Sequence, residues 1–433
     1  MLKLSGAVAV VVDAATNGPS ELWLDGATVV TAPTDPREHE TLDVSGCILT
    51  PGLVNAHHHL LQSAFRTLPG TRGVPMAEWL PTMAAAYARV GIDPEMTAIS
   101  TGIGVAEGLL NGVTTVADHM LNWSGATVEQ SVGIAESIAA TARALGGRLV
   151  FVRGSARDDP QQAASSAQAI IDALLPGTRG GISDDGMLQL AVGPAGVHSD
   201  ARETFELLGE VAARHGLRRR TQANEQVDVA IAIERYGRRP LDLLEDWGWI
   251  ADDVTLAHLV AVTDDEIARL ARAGVTGTHA PGCDVPMGWG VAPVAALRDA
   301  GIVVGLGTSG GGSNDAGHLL ADARLAMQVS SLVGPQVPAR EVLAMATSGS
   351  AAGLGRSELG QLRPGAAADV CVWDVSGVAD AGVADPVAGL LWAAPGRRPR
   401  HVLVGGEFVV RDYQLVNADE RELVARLSER LAR

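Results

Sequence analysis

Three consecutive histidines, His57, His58 and His59, follow an apolar run that extends from Cys47 to Val54. The run predicts a short buried strand, and side chains in a strand alternate between its two faces. His57 and His59 should therefore point to one face and His58 to the other. Two imidazoles placed two residues apart at a strand end can bind one divalent metal ion, and imidazole suits zinc, iron, nickel or copper. The spacing thus predicts a metal site.

Further polar residues follow other apolar runs, at the predicted ends of later strands. They are Asp118, His119, His198, Gln222, Glu225, His258, His279, Thr308 and Ser309. One histidine at a strand end is usually structural, but polar residues at five or more strand ends are hard to explain as core packing. In a parallel barrel the carboxyl ends of the strands meet at the face that carries the active site. These residues are therefore candidates for one common site.

Strands and helices alternate through the middle of the chain, as expected of a parallel α/β fold. About eight strand–helix units fit between residues 51 and 355, which predicts a (β/α)8 TIM barrel. Short strand-like runs occupy residues 1–50 and 356–433, so we expect a small β-sandwich domain built from both termini, ending in a helix. A doubly wound sheet is the main alternative, but no GxGxxG or GxxxxGKS/T loop supports it.

The composition excludes several classes of function. A net charge of −17 argues against a nucleic-acid surface and against anionic membranes. Three scattered cysteines make neither a disulfide framework nor a CxxC zinc site, and they favour a reduced, cytoplasmic protein. No signal peptide is recognised, and no apolar run reaches membrane-spanning length. Lys3 is the single lysine, so a binuclear metal site bridged by a carboxylated lysine on a barrel strand is excluded.

Several motifs carry a resemblance to a known family. They are PGLVNAHHH at 51–59, GVTTVAD at 112–118, LAH at 256–258, MGWGVAP at 287–293, GLGTS at 305–309 with SND at 313–315, and GAAADV at 365–370. Together they resemble the amidohydrolase superfamily, in its mononuclear deaminase and dehalogenase branch, and are most similar to the s-triazine hydrolases and guanine-type deaminases. The resemblance covers essentially the whole chain. It implies a homodimeric, metal-dependent hydrolase of a C–N bond or ring substituent on a small nitrogen heterocycle.

The resemblance also implies a ligand set, from which the chain departs at two positions. His57 and His59 match the metal-binding pair of the first strand, and His258 matches the histidine of the sixth. The fifth strand carries Gln222 instead of histidine, and the eighth carries Ser309 instead of aspartate, a change that triazine hydrolases tolerate. An amide oxygen binds zinc less well than imidazole. We therefore expect zinc, with iron as second choice, held by His57, His59 and His258 with a weak contribution from Gln222.

The resemblance assigns roles in the reaction as well. A bound divalent ion lowers the pKa of water to about 7, which provides hydroxide at neutral pH. Glu225 is the expected proton shuttle, His258 polarises the substrate or holds the metal, and Ser309 completes the catalytic set. The expected substrate-binding residues are Trp79, His119, His198, Arg220, His279 and Trp289.

Four of these residues have alternative interpretations. Trp79 and Trp289 could cover a flat heteroaromatic ring or simply pack under a lid. Arg220 lies two residues before Gln222 on the same strand face, and a buried arginine needs an anionic partner. It could bind a substrate carboxylate, pair with Asp118 or another acid, or belong to a basic strand start with Arg218 and reach solvent. His198 could replace the missing strand-five ligand, donate a hydrogen bond to the substrate or lie at the surface.

The two departures leave two further functions open. A barrel with little or no metal could catalyse cyclisation, elimination or isomerisation, with His57, Glu225 and His258 as acid and base groups. A non-catalytic binding protein could also have kept the fold, because a fold does not determine a function.

Overall fold

A computed structural model describes residues 1–34, 39–123 and 125–433 of the chain. Its centre is a barrel of parallel strands in which neighbours in sequence are neighbours in the sheet. The eight barrel strands, numbered one to eight in chain order, are Leu53–His59, Val113–Met120, Arg148–Ser155, Leu188–Pro194, Arg218–Ala223, Val254–His258, Thr276–His279 and Val304–Leu306. The predicted (β/α)8 class is confirmed.

The eighth strand closes the barrel in two pieces. Val304–Leu306 pairs with strand seven, and the short segment Ser309–Gly310 pairs with strand one, where Ser309 lies opposite His58. Gly307 and Thr308 separate the two pieces, and Gly307 packs directly on strand one. A Cβ atom at position 307 would lie 2.6 Å from the Cβ of His57, so only glycine fits there.

Helices connect the strands and cover the barrel. Those that precede strand five are Met76–Val90, Pro94–Leu110, Val128–Leu145, Pro160–Leu174 and Arg202–His215. Those that follow it are Gln226–Tyr236, Pro240–Asp246, Asp264–Ala273, Pro281–Asp284, Val294–Asp299, Leu319–Ser330, Ala339–Ala344 and Ser350–Gly353. Short 3-10 segments at Leu60–Ala64 and Val378–Asp380 and a π-helical turn at Met345–Gly349 complete the set, together with Pro386–Trp392 and Glu420–Ala432 near the C-terminus.

Local sequence explains where a typical covering helix begins and ends. Before the helix Asp264–Ala273, the Thr263 hydroxyl accepts from the Glu266 amide, and the Glu266 carboxylate accepts from the Thr263 amide. This reciprocal capping box satisfies two amides at the helix start. Gly274 then ends the helix in the left-handed conformation that glycine adopts without a steric penalty. No helix among the described residues is both long and apolar enough to cross a membrane.

Both termini contribute to two further sheets. The four-stranded sheet has the order Thr28–Val30, Glu21–Asp25, Leu2–Ser5, Glu40–Asp43. The seven-stranded sheet has the order Gln414–Leu415, Glu407–Arg411, His401–Val404, Val370–Asp374, Cys47–Pro51, Ala9–Val11, Asn17–Gly18. The two sheets share one apolar core, which contains Leu4, Leu24, Leu49, Val370 and Leu403. The expected small β-layer built from both termini is therefore present, whereas the division at residues 50 and 355 into domains stays a prediction.

The terminal sheets meet the barrel at the amino ends of its strands. Arg148, the first residue of strand three, forms a two-point ion pair with Asp369 through N–O distances of 2.8 and 2.9 Å. The amide of Gly52, just before strand one, donates to the carbonyl of Asp369. This attachment leaves the carboxyl ends of the strands on the opposite side.

Candidate active site

The paired histidines of strand one point into the barrel, as alternation predicts. The ring centroids of His57 and His59 lie 4.9 Å apart, with the rings edge to face. His58 points to the other face, where its Nδ1 lies 2.9 Å from the Thr308 hydroxyl. All three side chains are buried.

The imidazoles of His57 and His59 each have a ring nitrogen that is available to bind a metal. Nδ1 of His59 lies 2.7 Å from the carbonyl oxygen of His119. Because a carbonyl can only accept, Nδ1 must carry the hydrogen, and the lone pair is left on Nε2. Nε2 of His57 is buried and has no hydrogen-bond partner among the described residues. Burial lowers the pKa of His59 to about 4 and that of His57 well below its ordinary value, so both rings are neutral at pH 7.

His258, the last residue of strand six, is held from several sides. Its Nδ1 lies 2.6 Å from Oδ1 of Asp284, and its Nε2 lies 3.1 Å from Oε1 of Gln222 and 3.5 Å from Oε1 of Glu225. Its ring centroid lies 5.2 Å from that of His57. Burial alone would lower the pKa of His258, but the surrounding carboxylates, chiefly Asp284, raise it to about 9.

The side chain of Gln222 reaches the same centre. Its amide nitrogen donates to the carbonyl of Ala195 at 3.1 Å, which fixes the orientation of the amide group. Oε1 of Gln222 therefore faces His258. The structure thus brings together His57, His59, His258 and Gln222, the four predicted metal ligands, although in this arrangement Gln222 contacts His258.

Glu225 follows the end of strand five and is 1% exposed. One carboxyl oxygen faces His258, and the other, Oε2, has no hydrogen-bond partner among the described residues. Burial raises the pKa of Glu225 to about 7, although His258 opposes this rise. A carboxyl group with a pKa near the working pH is suited to accept and return a proton.

Ser309 lies where strand eight meets strand one. Its carbonyl oxygen accepts a hydrogen bond from His58, and its hydroxyl lies 3.5 Å from that of Ser313. Its φ of 55° is in the left-handed region, which is uncommon for a residue other than glycine. Strained backbone of this kind occurs at functional sites when the surrounding structure holds it.

Arg220 is neither paired with an acid among the described residues nor exposed to solvent, in contrast to two of the alternatives predicted from the sequence. Its guanidinium is buried and donates to the carbonyl of Ala56. No carboxylate of the described residues lies within 4 Å of it, and burial lowers its pKa to about 9. Pairing with Asp118 is wrong, because an oxygen of Asp118 accepts instead from the amide of Leu60. Arg218 is the first residue of strand five, and its guanidinium donates to the carbonyl of Asp252.

The remaining predicted substrate-binding residues surround the centre in different ways. Nε2 of His119 lies 2.8 Å from the carbonyl of Gly193, so this ring links strands two and four. Nδ1 of His198 and both ring nitrogens of His279 are buried without hydrogen bonds among the described residues. The indole of Trp79 donates to the carbonyl of Gly312 after strand eight, and the ring of Trp289 stands edge to face on His258.

Sequence reasoning missed two residues of the site, Cys283 and Asp284. Ligand atoms of His258, Cys283 and Asp284 lie within 4.8 Å of one another, which is close enough for a metal. However, His258 and Asp284 already share a short hydrogen bond, and burial raises the pKa of the Cys283 thiol, which keeps it protonated. We therefore describe His258 and Asp284 as a hydrogen-bonded pair. The only sequence signal was an acid five residues after the strand-seven histidine.

Comparison with known proteins shows the family. A family model for the amidohydrolase family matches residues 48–409. The chain belongs to the amidohydrolase family. It is 34% identical to an 8-oxoguanine deaminase of Pseudomonas aeruginosa over 396 residues, which cover 89% of this chain and 87% of that protein. It is 31% identical to a 5-methylthioadenosine/S-adenosylhomocysteine deaminase of Halobacterium salinarum over 418 residues, which cover 94% and 92%.

The structural comparison agrees with the family assignment. The atrazine chlorohydrolase TrzN of Arthrobacter aurescens TC1, solved as a complex with zinc, superposes with a TM-score of 0.90 at 34% identity, and the match covers 100% of both chains. The resemblance stated from the motifs is thereby confirmed.

The donor atoms in this amidohydrolase fit a metal ion. Two neutral imidazoles converge, His59 is oriented by a backbone carbonyl, and His57 has a buried nitrogen without a partner. Neutral imidazole nitrogens are good zinc ligands, and orienting bonds of this kind accompany ligating histidines.

Proposed function

We propose that this amidohydrolase is a metal-dependent hydrolase of a nitrogen heterocycle, acting on a ring C–N bond or a ring substituent as a deaminase does. The observation that carries the proposal is the buried Glu225 carboxyl, which has one free oxygen and lies beside His258 and the His57–His59 pair. Its pKa of about 7 suits a group that both accepts and donates protons. The named relatives are deaminases, which favours hydrolysis over the non-hydrolytic and binding alternatives.

Zinc is the proposed metal, with His57, His59 and His258 as its holders and Gln222 as a weak fourth. A divalent ion there would supply Lewis acidity and a nucleophilic water at neutral pH. The protein's own contribution begins with Glu225, which takes a proton on its free oxygen and returns it to the leaving group. Nε2 of His258 serves one of two roles, holding the metal or orienting the reacting group, because Nδ1 is occupied by Asp284. The buried nitrogens of His198 and His279 that have no partner among the described residues offer hydrogen bonds to ring atoms.

The site also excludes water. The side chains of His57, Glu225, His258 and Ser309 are all buried, and the indole of Trp289 stands on His258. A flat ring is a suitable occupant for a space beside aromatic faces. Ser309, the third proposed catalytic residue, would act by holding His58 and the junction of strands eight and one in place.

Two finer proposals concern the whole protein. We propose a homodimer, on the basis of the resemblance to the triazine hydrolases and guanine-type deaminases. We also propose a cytoplasmic location, which is supported by three buried cysteines that form no disulfide among the described residues. Sedimentation analysis tests the first proposal, and fractionation of the source cells tests the second.

Metal analysis tests the central proposal. Elemental mass spectrometry of protein purified without added metal or chelator should find about one zinc or iron per chain. His57→Ala should lose the metal, and His215→Ala, at a helix end far from the site, should retain it. No metal in the wild-type protein would contradict the proposal.

Turnover provides the second test. Aminopurines, pteridines and triazines should be screened for release of ammonia or of another ring substituent. Glu225→Gln should reduce kcat by about 10²–10⁴-fold, the usual contribution of a positioned acid–base group. Full activity of Glu225→Gln on an identified substrate would contradict the mechanism.

A further inference from the structure

The segment after strand seven, residues 280–289, holds the His258 ring at two points. Oδ1 of Asp284 lies 2.6 Å from Nδ1 of His258, and the Trp289 ring stands edge to face on the imidazole with centroids 5.4 Å apart. The two contacts belong to one unit, because the amide of Trp289 donates to the carbonyl of Asp284 at 3.0 Å. The segment therefore restricts both rotation and tilt of the imidazole.

Asp284 is the last residue of the short helix Pro281–Asp284. Its amide donates to the carbonyl of Ala280 at 3.0 Å, and its side chain is fully buried. Two positions earlier, a Cβ atom on Gly282 would lie 2.1 Å from Oδ1 of Asp322 and 2.3 Å from Nδ2 of Asn314. The helix thus packs tightly against the hydrogen-bonded Asn314–Asp322 pair, and the Asp284 carboxylate has little freedom to move.

The contact determines which nitrogen of His258 faces the centre. An ionised aspartate has no hydrogen to donate, and Oδ1 of Asp284 lies 2.6 Å from Nδ1 of His258, so Asp284 accepts in this contact. Nδ1 of His258 must then carry a hydrogen, and Nε2 is presented to Gln222 and Glu225. The second oxygen, Oδ2, has no hydrogen bond among the described residues and lies 3.6 Å from Nδ1 of His279.

We propose that Asp284 is a positioning residue of the reaction, which fixes the ring of His258 through Nδ1 so that Nε2 faces Gln222 and Glu225. The expected effect of Asp284 on turnover rests on the proposed function. Its expected effect on the His258 ring does not. Asp284 acts through His258, because its carboxylate lies on the side of the imidazole away from the centre. Removal of an outer partner of this kind costs about 10–100-fold in activity or metal affinity.

Nuclear magnetic resonance of the imidazole tests the proposal without a substrate. Chelator-treated protein labelled with ¹⁵N-histidine is compared with His258→Gln, which assigns the His258 signals. The wild-type protein should show a slowly exchanging hydrogen on Nδ1 of His258, and Asp284→Ala should lose this signal. Asp200→Asn is the matched control, because buried Asp200 accepts hydrogen bonds from the hydroxyls of Ser155 and Ser199 and contacts no imidazole. An unchanged Nδ1 signal in Asp284→Ala would overturn the proposal.

Turnover gives a second readout once a substrate is known. Asp284→Ala should reduce kcat by about 10–100-fold and change KM little, because Asp284 does not face the substrate. Asp284→Asn retains an acceptor oxygen and should give intermediate values of kcat and of Nδ1 exchange. If Asp284→Ala does not fold, Asp284→Asn carries both tests, and wild-type values in it would overturn the proposal. If no substrate or metal is found, the proposed function fails and the resonance measurement still decides the role of Asp284.

Discussion

Glu225 is a carboxyl group that must ionise to accept a proton, yet it is buried in the barrel, where burial disfavours the charged form. Its ordinary pKa of 4.5 rises to about 7 in the folded protein, chiefly because of burial. The same shift that places its ionisation near neutral pH must reduce the stability of the fold wherever the group is charged.

The sign of this effect can be tested. Between pH 4.5 and about 7 the folded protein keeps a proton on Glu225 that the unfolded chain releases, so stability falls as the pH rises through this window. Glu225→Gln removes the ionisation. In chelator-treated protein, the melting temperature of Glu225→Gln should exceed that of the wild type at pH 8 and approach it below pH 4.5. A constant difference between the two proteins at all pH values would refute this explanation.

Gln222 provides a second prediction at this scale. An imidazole at position 222 would replace an amide oxygen in reach of the centre, and imidazole is the better zinc ligand. Gln222→His should bind zinc at least about tenfold more tightly, or about 1.4 kcal/mol, in competition with a chromophoric chelator. Gln222→Leu is the control of similar length and should not gain affinity. Equal affinity of Gln222→His and the wild type would show that residue 222 does not reach the metal.

The residues of the site were predicted as far as strand periodicity and motifs allow. Alternation predicted that His57 and His59 point inward, and the family resemblance predicted that Glu225 and His258 lie in the same site. Asp284 was missed because it ends the four-residue helix Pro281–Asp284, which is too short to show a periodic pattern. The partner of Arg220 was missed because a backbone carbonyl leaves no trace in a sequence.

At the scale of elements, the divided eighth strand lies against one of the proposed metal ligands. Its two pieces join strands seven and one, and Gly307 between them lies against the backbone of His57. The position of the first metal ligand is therefore linked to the absence of a side chain at residue 307.

Gly307→Ala should separate strands one and eight and displace His57. The added Cβ would lie 2.6–2.8 Å from the Cβ, carbonyl oxygen and amide nitrogen of His57. Overpacking of this kind costs about 1–3 kcal/mol. We expect a lower midpoint of urea unfolding together with reduced zinc content. Gly377→Ala is the control, because nothing lies within 4 Å of its Cβ. Wild-type zinc content in Gly307→Ala would contradict the linkage.

The alternation of strands and helices could be predicted from apolar runs, but the interruption of strand eight could not. The run from Ile302 to Gly307 is uniformly apolar or small, which predicts one continuous strand. The break arises from contact with strand one, some 250 residues earlier in the chain, and local pattern carries no information on such a contact.

For the whole molecule, the Arg148–Asp369 pair connects the barrel to the terminal sheets. The two side chains are 6% and 3% exposed, and Asp369 also accepts from the amide of Gly405. Loss of one partner leaves the other as a buried, unpaired charge, which lowers the free energy of unfolding.

Asp369→Asn should therefore lower the free energy of unfolding by about 3–5 kcal/mol, as measured by urea denaturation. Glu206→Gln is the matched control, because it breaks the exposed Arg202–Glu206 pair and should cost at most about 0.5 kcal/mol. Similar losses in the two variants would mean that burial of the Arg148–Asp369 pair has no energetic consequence.

Lys3 lies in the four-stranded terminal sheet, where its ammonium group is 2.7 Å from a carboxylate oxygen of Glu21. Since the terminal sheets meet the amino ends of the barrel strands, the single lysine side chain is on the side of the molecule away from the site. Amine-reactive dyes or resins would therefore attach to the terminal layer and not at the barrel opening. The protein could be immobilised in a nearly uniform orientation, with its active face towards the solution and no engineered attachment point.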